Sequence, residues 1–185
     1  MAFSMRLDLF DNSDFNRGTS RLREALWLFV SGVLVSSWVP GSIWRRVFLR
    51  AFGAQLGVGV VIKPGVRVKF PWRLNLGDHV WIGEDVWIDN LAHVAIGSHS
   101  CISQGAYICT GSHNWFDKNF TLITKPIVVE EECWIGARAI LAPGTIMESG
   151  SVLTMGSIGK GKLSENHIFS GNPALVIKKK VPTQQ

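Results

Sequence analysis

The sequence predicts an all-β fold, a parallel β-solenoid of short strands, preceded by a helical segment. Three features carry that prediction. From Val60 onward aliphatic residues recur at intervals of six, the interruptions of that interval fall after every third repeat, and the first fifty-five residues lack it altogether. Length and composition set the frame. A chain of 185 residues makes one domain able to bury most of its surface, and 46% hydrophobic against 18% charged residues excludes a disordered chain. The net charge of +5 suits an anionic ligand, a membrane face or nucleic acid equally. Three cysteines without a CxxC pair argue against a disulfide framework and for a reducing compartment.

Residues 1–55 read as a helical lead-in. Residues 1–20 lack the basic-then-apolar order of a secretory signal, so a cytoplasmic location is expected. The apolar run Ala25 to Val39, flanked by Arg21 and Arg23 and closed by Pro40, is shorter than the roughly 20 residues that span a bilayer. It predicts a buried or interfacial helix. A second helix follows over Ile43 to Phe52, with Trp44, Val47, Phe48 and Ala51 on one face, Arg45, Arg46 and Arg50 off it, and Gly53 as a stop. A helical hairpin packed on the domain is one reading. Peripheral docking on an anionic membrane surface through arginines and tryptophans is the other.

Residues 56–180 carry the repeat. Its anchors are Ile62, Val68, Leu76, Ile82, Ile88, Ile96, Ile102, Ile108, Val129, Ile135, Leu141, Met147 and Leu153. Two positions before each stands a second uncharged residue, from Val60 and Val66 through to Thr145 and Ser151. Residues two apart on a strand share a face, so each repeat is a short strand with two inward side chains and a corner. The corners Gly77-Asp78, Gly83-Glu84, Gly97-Ser98, Gly136-Ala137 and Pro143-Gly144 hold residue types suited to tight turns. Extra residues enter after Val68, Ile88 and Ile108, the last as a long loop over 109–126. In a three-sided coil all three leave from one edge. Residues 181–185 read as a tail.

The stretches IGEDVWI, AIGSHSCIS, ICTGSHNW, CWIGARAILAPGTI and FSGNPALVIK are similar to those of hexapeptide-repeat acyltransferases. ICTGSHNW with its following loop and the terminal GNPA segment resembles the maltose, galactoside and nodulation-type sugar O-acetyltransferases, and the arginine-rich lead-in resembles the colanic acid biosynthesis type. The resemblance implies a left-handed parallel β-helix, acetyl-CoA as co-substrate with no metal, a saccharide acceptor in surface polysaccharide assembly, free or lipid-linked, and a homotrimer with active sites between neighbouring prisms.

A sugar hydroxyl needs a base to attack a thioester near neutral pH, and imidazole suits the task. His113, at the mouth of the longest insertion, occupies the place of the family's catalytic histidine. The two earlier insertions should flank it as an acceptor pocket, with Trp72 stacking on a sugar, Asp89 and Asn90 binding hydroxyls, and His93 stacked beside His113. Solvated loop side chains are the alternative for these four. The substrate-binding Asn and Asp of the galactoside pattern fall on Gly83 and Leu91, a departure that touches the acceptor rather than the reaction. By resemblance Ala137, Met155 and Gly156 line the pantetheine arm, the Ala137 amide polarises the thioester carbonyl, and Lys160 and Lys178 bind phosphates.

Other readings are open. A catalytically silent scaffold would use the same solenoid. A γ-class carbonic anhydrase-like protein needs three histidines on zinc, yet the ligand expected five residues after His113 is Lys118, although His79 and His99 could meet on an outer face. Cys109 as a covalent nucleophile would give ping-pong kinetics. No motif for nucleic acid is present, so no nucleic-acid partner is expected.

Overall fold

Strands mostly of two or three residues, joined at tight corners, stack in parallel into three sheets that form the faces of a prism. The structure is a computed structural model and describes residues 5–180; the tail 181–185 lies outside the described residues. One face is built of Gln55–Leu56, Leu74–Leu76, Val94–Ile96, Ile127–Val129, Ile146–Met147 and Lys162–Leu163. A second runs from Val61–Ile62 through Trp81–Ile82, Cys101–Ile102, Trp134–Ile135 and Val152–Leu153 to His167–Gly171. The third contains Arg67–Val68, Trp87–Asp89, Tyr107–Cys109, Ile140–Leu141 and Ile158–Gly159.

The six-residue register sets the stacking. Anchors pair with anchors, as in Ile62 with Ile82, Ile102 with Ile135 and Ile108 with Leu141. All thirteen anchors, and the residues two before them, are buried, so the core is a continuous column running up the prism. The polar members are satisfied in place. Ser100 donates to the Glu130 carbonyl, and Thr145 to those of Ala142 and Gly159.

The corner glycines divide into two kinds: Gly144 takes the left-handed backbone expected of a tight turn, φ 80°, whereas others do not. At Gly77-Asp78 the left-handed backbone belongs to His79, φ 55°, not to the glycine. What Gly77 supplies is clearance, because a Cβ there would lie 2.6 Å from the Ser98 nitrogen of the next coil. Gly136 does the same beneath Met155.

Helices α1 (Arg21–Val30) and α2 (Ile43–Ala51) pack on the first coil. Ser20 caps α1 by accepting from the Arg23 amide, and the helix runs on into a wider turn over Ser31–Val35. Trp27 is buried and donates its indole N–H to the Val68 carbonyl, 3.0 Å. The inward face of α2 is not the one the apolar pattern predicts. Arg45 and Leu49 are its buried residues while Val47 is exposed. The guanidinium of Arg45 donates to the carbonyls of Val35, Ser37, Val39 and Gly41 in the connection between the helices, where Ser37 also accepts from the Gly65 N–H. Satisfying four acceptors outweighs the apolar preference of that position. Among the described residues no helix is long and apolar enough to cross a membrane.

Candidate active site

Between Thr110 and Lys125 the chain leaves the coil as a hairpin, Gly111–His113 paired antiparallel with Leu122–Thr124. The Lys125 N–H donates to the Thr110 carbonyl and closes its neck, 2.9 Å. At the tip, turn bonds join Asp117 to Asn114 and Phe120 to Asp117, and the Thr121 hydroxyl and Asn119 N–H hold the Asp117 carboxyl below the usual range. Phe120 takes a left-handed φ of 52°, uncommon for an aromatic residue.

That backbone aims the Phe120 carbonyl at His113 Nδ1, 2.7 Å away, while the ring of Phe120 lies parallel to the imidazole at 4.1 Å. A carbonyl only accepts, so Nδ1 carries the proton and the neutral ring keeps its lone pair on Nε2. Phe10, from the amino-terminal arm, meets the imidazole edge-on at 5.5 Å, and the Arg6 N–H donates to the Lys118 carbonyl in the same loop. The arm is thus part of the site. Residues 1–20 carry no sequence sign of this, since a contact across a hundred residues leaves no periodicity.

His113 and Lys160 line one cleft of about 350 Å³, with Trp115, Phe116, Lys125 and Pro143. Trp115 and Phe116 project as an exposed aromatic rim that sequence reasoning passed over, although Trp115 stands inside the quoted motif. Ala137 and Met155 line a second cleft of about 340 Å³ with Gln104, Trp134 and Thr154, and Gly156 follows in the same turn. The Ala137 N–H has no hydrogen-bond partner among the described residues. The two clefts share no lining residue. They flank the third face, Ala137 preceding and Ala142 following its strand Ile140–Leu141.

The expected acceptor pocket does not assemble as one group. Asn90 is fully buried, its amide accepting from the Phe70 N–H at 2.9 Å and donating to the Phe70 carbonyl at 2.7 Å. It clasps two corners and is shut away from any sugar. Trp72 stacks on Phe70 at 5.0 Å and donates to the Arg17 carbonyl, which anchors the lead-in. Asp89 pairs with Lys69 at 3.3 Å and accepts from the Tyr107 hydroxyl at 3.0 Å. His93 lines a third cleft with Asp14, Arg73 and Pro126 and does not stack on His113. The hairpin is the reason. It projects from the coil, and the chain resumes beneath His93 only at Ile127, whose N–H donates to the His93 carbonyl.

Lys178 is exposed on the last strand, Ala174–Lys179, which folds back antiparallel on His167–Gly171. Cys109 donates to the Gly111 carbonyl at 3.2 Å and lines none of the three clefts. His79 and His99 stack at 5.2 Å on another edge.

No family model matches the chain. It is 40% identical over 170 residues to the colanic acid biosynthesis acetyltransferase WcaF of Escherichia coli K12, covering 91% of this chain and 93% of that relative. The chain belongs to this acetyltransferase family. Two solved structures share the fold of this chain. The acetyltransferase VCA0836 of Vibrio cholerae, complexed with acetyl-CoA, superposes with a TM-score of 0.76 at 21% identity over 88% of this chain and 87% of that one. A maltose O-acetyltransferase of Clostridium difficile gives 0.71 at 20% identity over 88% and 90%. The acetyltransferase is therefore a left-handed parallel β-helix.

Proposed function

We propose that this acetyltransferase moves an acetyl group from acetyl-CoA to a hydroxyl of a saccharide intermediate in surface polysaccharide assembly, with His113 as general base. The observation that carries the reading is the Phe120 carbonyl on Nδ1, which leaves Nε2 as the acceptor of a proton at the rim of a cleft. Nε2 takes the proton of the sugar hydroxyl as its oxygen bonds to the thioester carbon. The carbon–sulfur bond then breaks, and the imidazolium returns the proton to the departing thiolate. Transfer is direct, without an enzyme-bound acyl group on Cys109.

The unpartnered Ala137 N–H fits the role of donor to the carbonyl oxygen as negative charge develops there, and Met155 and Gly156 leave a narrow path beside it for the pantetheine arm. Lys160, in the His113 cleft, and Lys178, on the last strand, are cations for phosphate groups. His113 and Ala137 lie on different edges of one prism, so the site is completed by a second copy whose Ala137 edge faces the His113 edge of the first. A homotrimer closes that arrangement. Of the residues expected at the acceptor, His93 and Asp89 remain candidates, on the cytoplasmic side where a lipid-linked or free acceptor is presented.

Thiol release from acetyl-CoA against a panel of sugars tests the reading, with His113→Ala run in parallel. Sugar-dependent release, reduced at least about a hundredfold in the variant, is the expected result. Undiminished release by the variant overturns the assignment of the base.

A further inference from the structure

We propose that the helical lead-in is a docking surface for an anionic lipid bilayer, made by the outward faces of α1 and α2 and the turn between them. The core of a folded domain normally takes up its large apolar side chains. Here Leu22, Phe29 and Trp38 are 81%, 69% and 83% exposed, and Leu26, Val33 and Ile43 join them at the surface. On α1, Leu22, Leu26 and Phe29 recur at the four- and three-residue spacing of one helical stripe, turned away from buried Trp27. The stripe is therefore a second apolar face, not an incomplete part of the first.

Charge identifies what covers it. Residues 17–55 hold six arginines and one glutamate, so the chain's whole net charge of +5 resides in this segment and the remainder of the chain is balanced. The one glutamate, Glu24, is paired with Arg17. Arg21 and Arg23 sit about 100° to either side of Leu22 on the helix, flanking the stripe, and Arg50 is exposed beside Ile43 and Val47 on α2. An apolar stripe edged by cations, with an exposed tryptophan at the turn, matches an interface whose surface is anionic and whose interior is hydrocarbon. A second copy of the same patch is the poorer occupant, because an isologous contact brings arginine rims against each other. In a cyclic trimer the threefold axis turns all three patches toward the same end, so their weak affinities combine.

The test is co-sedimentation of the full chain with vesicles, which reads binding without reference to acetyl transfer. Vesicles of phosphatidylglycerol and phosphatidylethanolamine should carry the protein down, phosphatidylcholine vesicles much less, and added salt should release it. Phe29→Ser with Trp38→Ser should weaken association at least about tenfold. Arg21→Glu with Arg23→Glu should weaken it about fivefold or more per arginine. Thermal melts of both variants should match the parent, since these side chains make no core contact. Failure of the parent to bind anionic vesicles overturns the proposal, as does equal binding by both variants. So does a drop in oligomer mass by light scattering in the Phe29/Trp38 variant, which would assign the patch to a second copy.

Discussion

The imidazole of His113 lies flat against the ring of Phe120, the planes 3° from parallel, with Nδ1 held 2.7 Å from that residue's own carbonyl oxygen. One residue thus fixes both the tilt of the ring and the position of its proton. Phe120→Gly keeps the left-handed turn and its carbonyl but removes the stacking surface. The expected result is a kcat lowered about tenfold with KM for acetyl-CoA near the parent value, because orientation rather than binding is lost. Steady-state thiol release measures both constants. An unchanged kcat would show that the ring contact does not position the base.

Phe10 makes the second contact with that imidazole, from an arm anchored to the loop by the Arg6–Lys118 backbone bond. An edge-to-face aromatic pair contributes on the order of 1 kcal/mol. Phe10→Ala should therefore lower kcat by roughly fivefold while shifting the melting temperature little, the arm being mostly exposed. Phe10→Tyr, which keeps the ring, should restore the rate. A variant as active as the parent would remove the arm from the site.

The prism was legible because each repeat states its inward residues twice, and every anchor named from the sequence is buried. Legibility fails where the repeat does. After Leu153 the core position is Gly159, where a Cβ would lie 3.0 Å from the Leu141 side chain and 3.1 Å from that of Leu153, and the buried apolar residues resume out of step at Leu163 and Phe169. His113 was readable from its place at an insertion mouth. Its support was not, since Phe120 and Phe10 act through a backbone carbonyl and a contact remote in sequence. The burial of Asn90 was not readable for a related reason. Spacing puts Asn90 at the right edge, but only three-dimensional structure reveals that its amide is consumed by Phe70.

Arg45 is a buried cation that stabilises by hydrogen bonding rather than ion pairing, since its four partners are carbonyls. Arg45→Met keeps most of the volume but takes the donor from the carbonyls of Val35, Val39 and Gly41 and leaves Ser37 only its bond from the Gly65 N–H. At about 1 kcal/mol or more for each unsatisfied acceptor, the variant should lose roughly 3–5 kcal/mol and melt well below the parent. Chemical denaturation with circular dichroism measures it. A loss under about 1 kcal/mol would mean that water replaces the guanidinium.

Tyr107 is the single tyrosine of the chain, so its ionisation can be followed without overlap from another. Its ring stacks on Trp87 at 4.7 Å, and its hydroxyl donates to Asp89. Burial pushes its pKa upward first, and the neighbouring Cys109 and the negative charge of Asp89 add to the rise. Because the folded-state value lies above the unfolded one, the stabilisation is fully present below the ordinary tyrosine pKa of about 10 and declines as pH rises beyond it. Tyrosinate absorbance should therefore stay low above that pH while the fold persists, then rise together with loss of the circular dichroism signal. Tyr107→Phe removes the ionising hydroxyl, so its stability should fall less steeply over the same alkaline range, although at neutral pH it loses the bond to Asp89. A free titration near pH 10 in the folded protein would show that the ring is not held against Asp89 in this way.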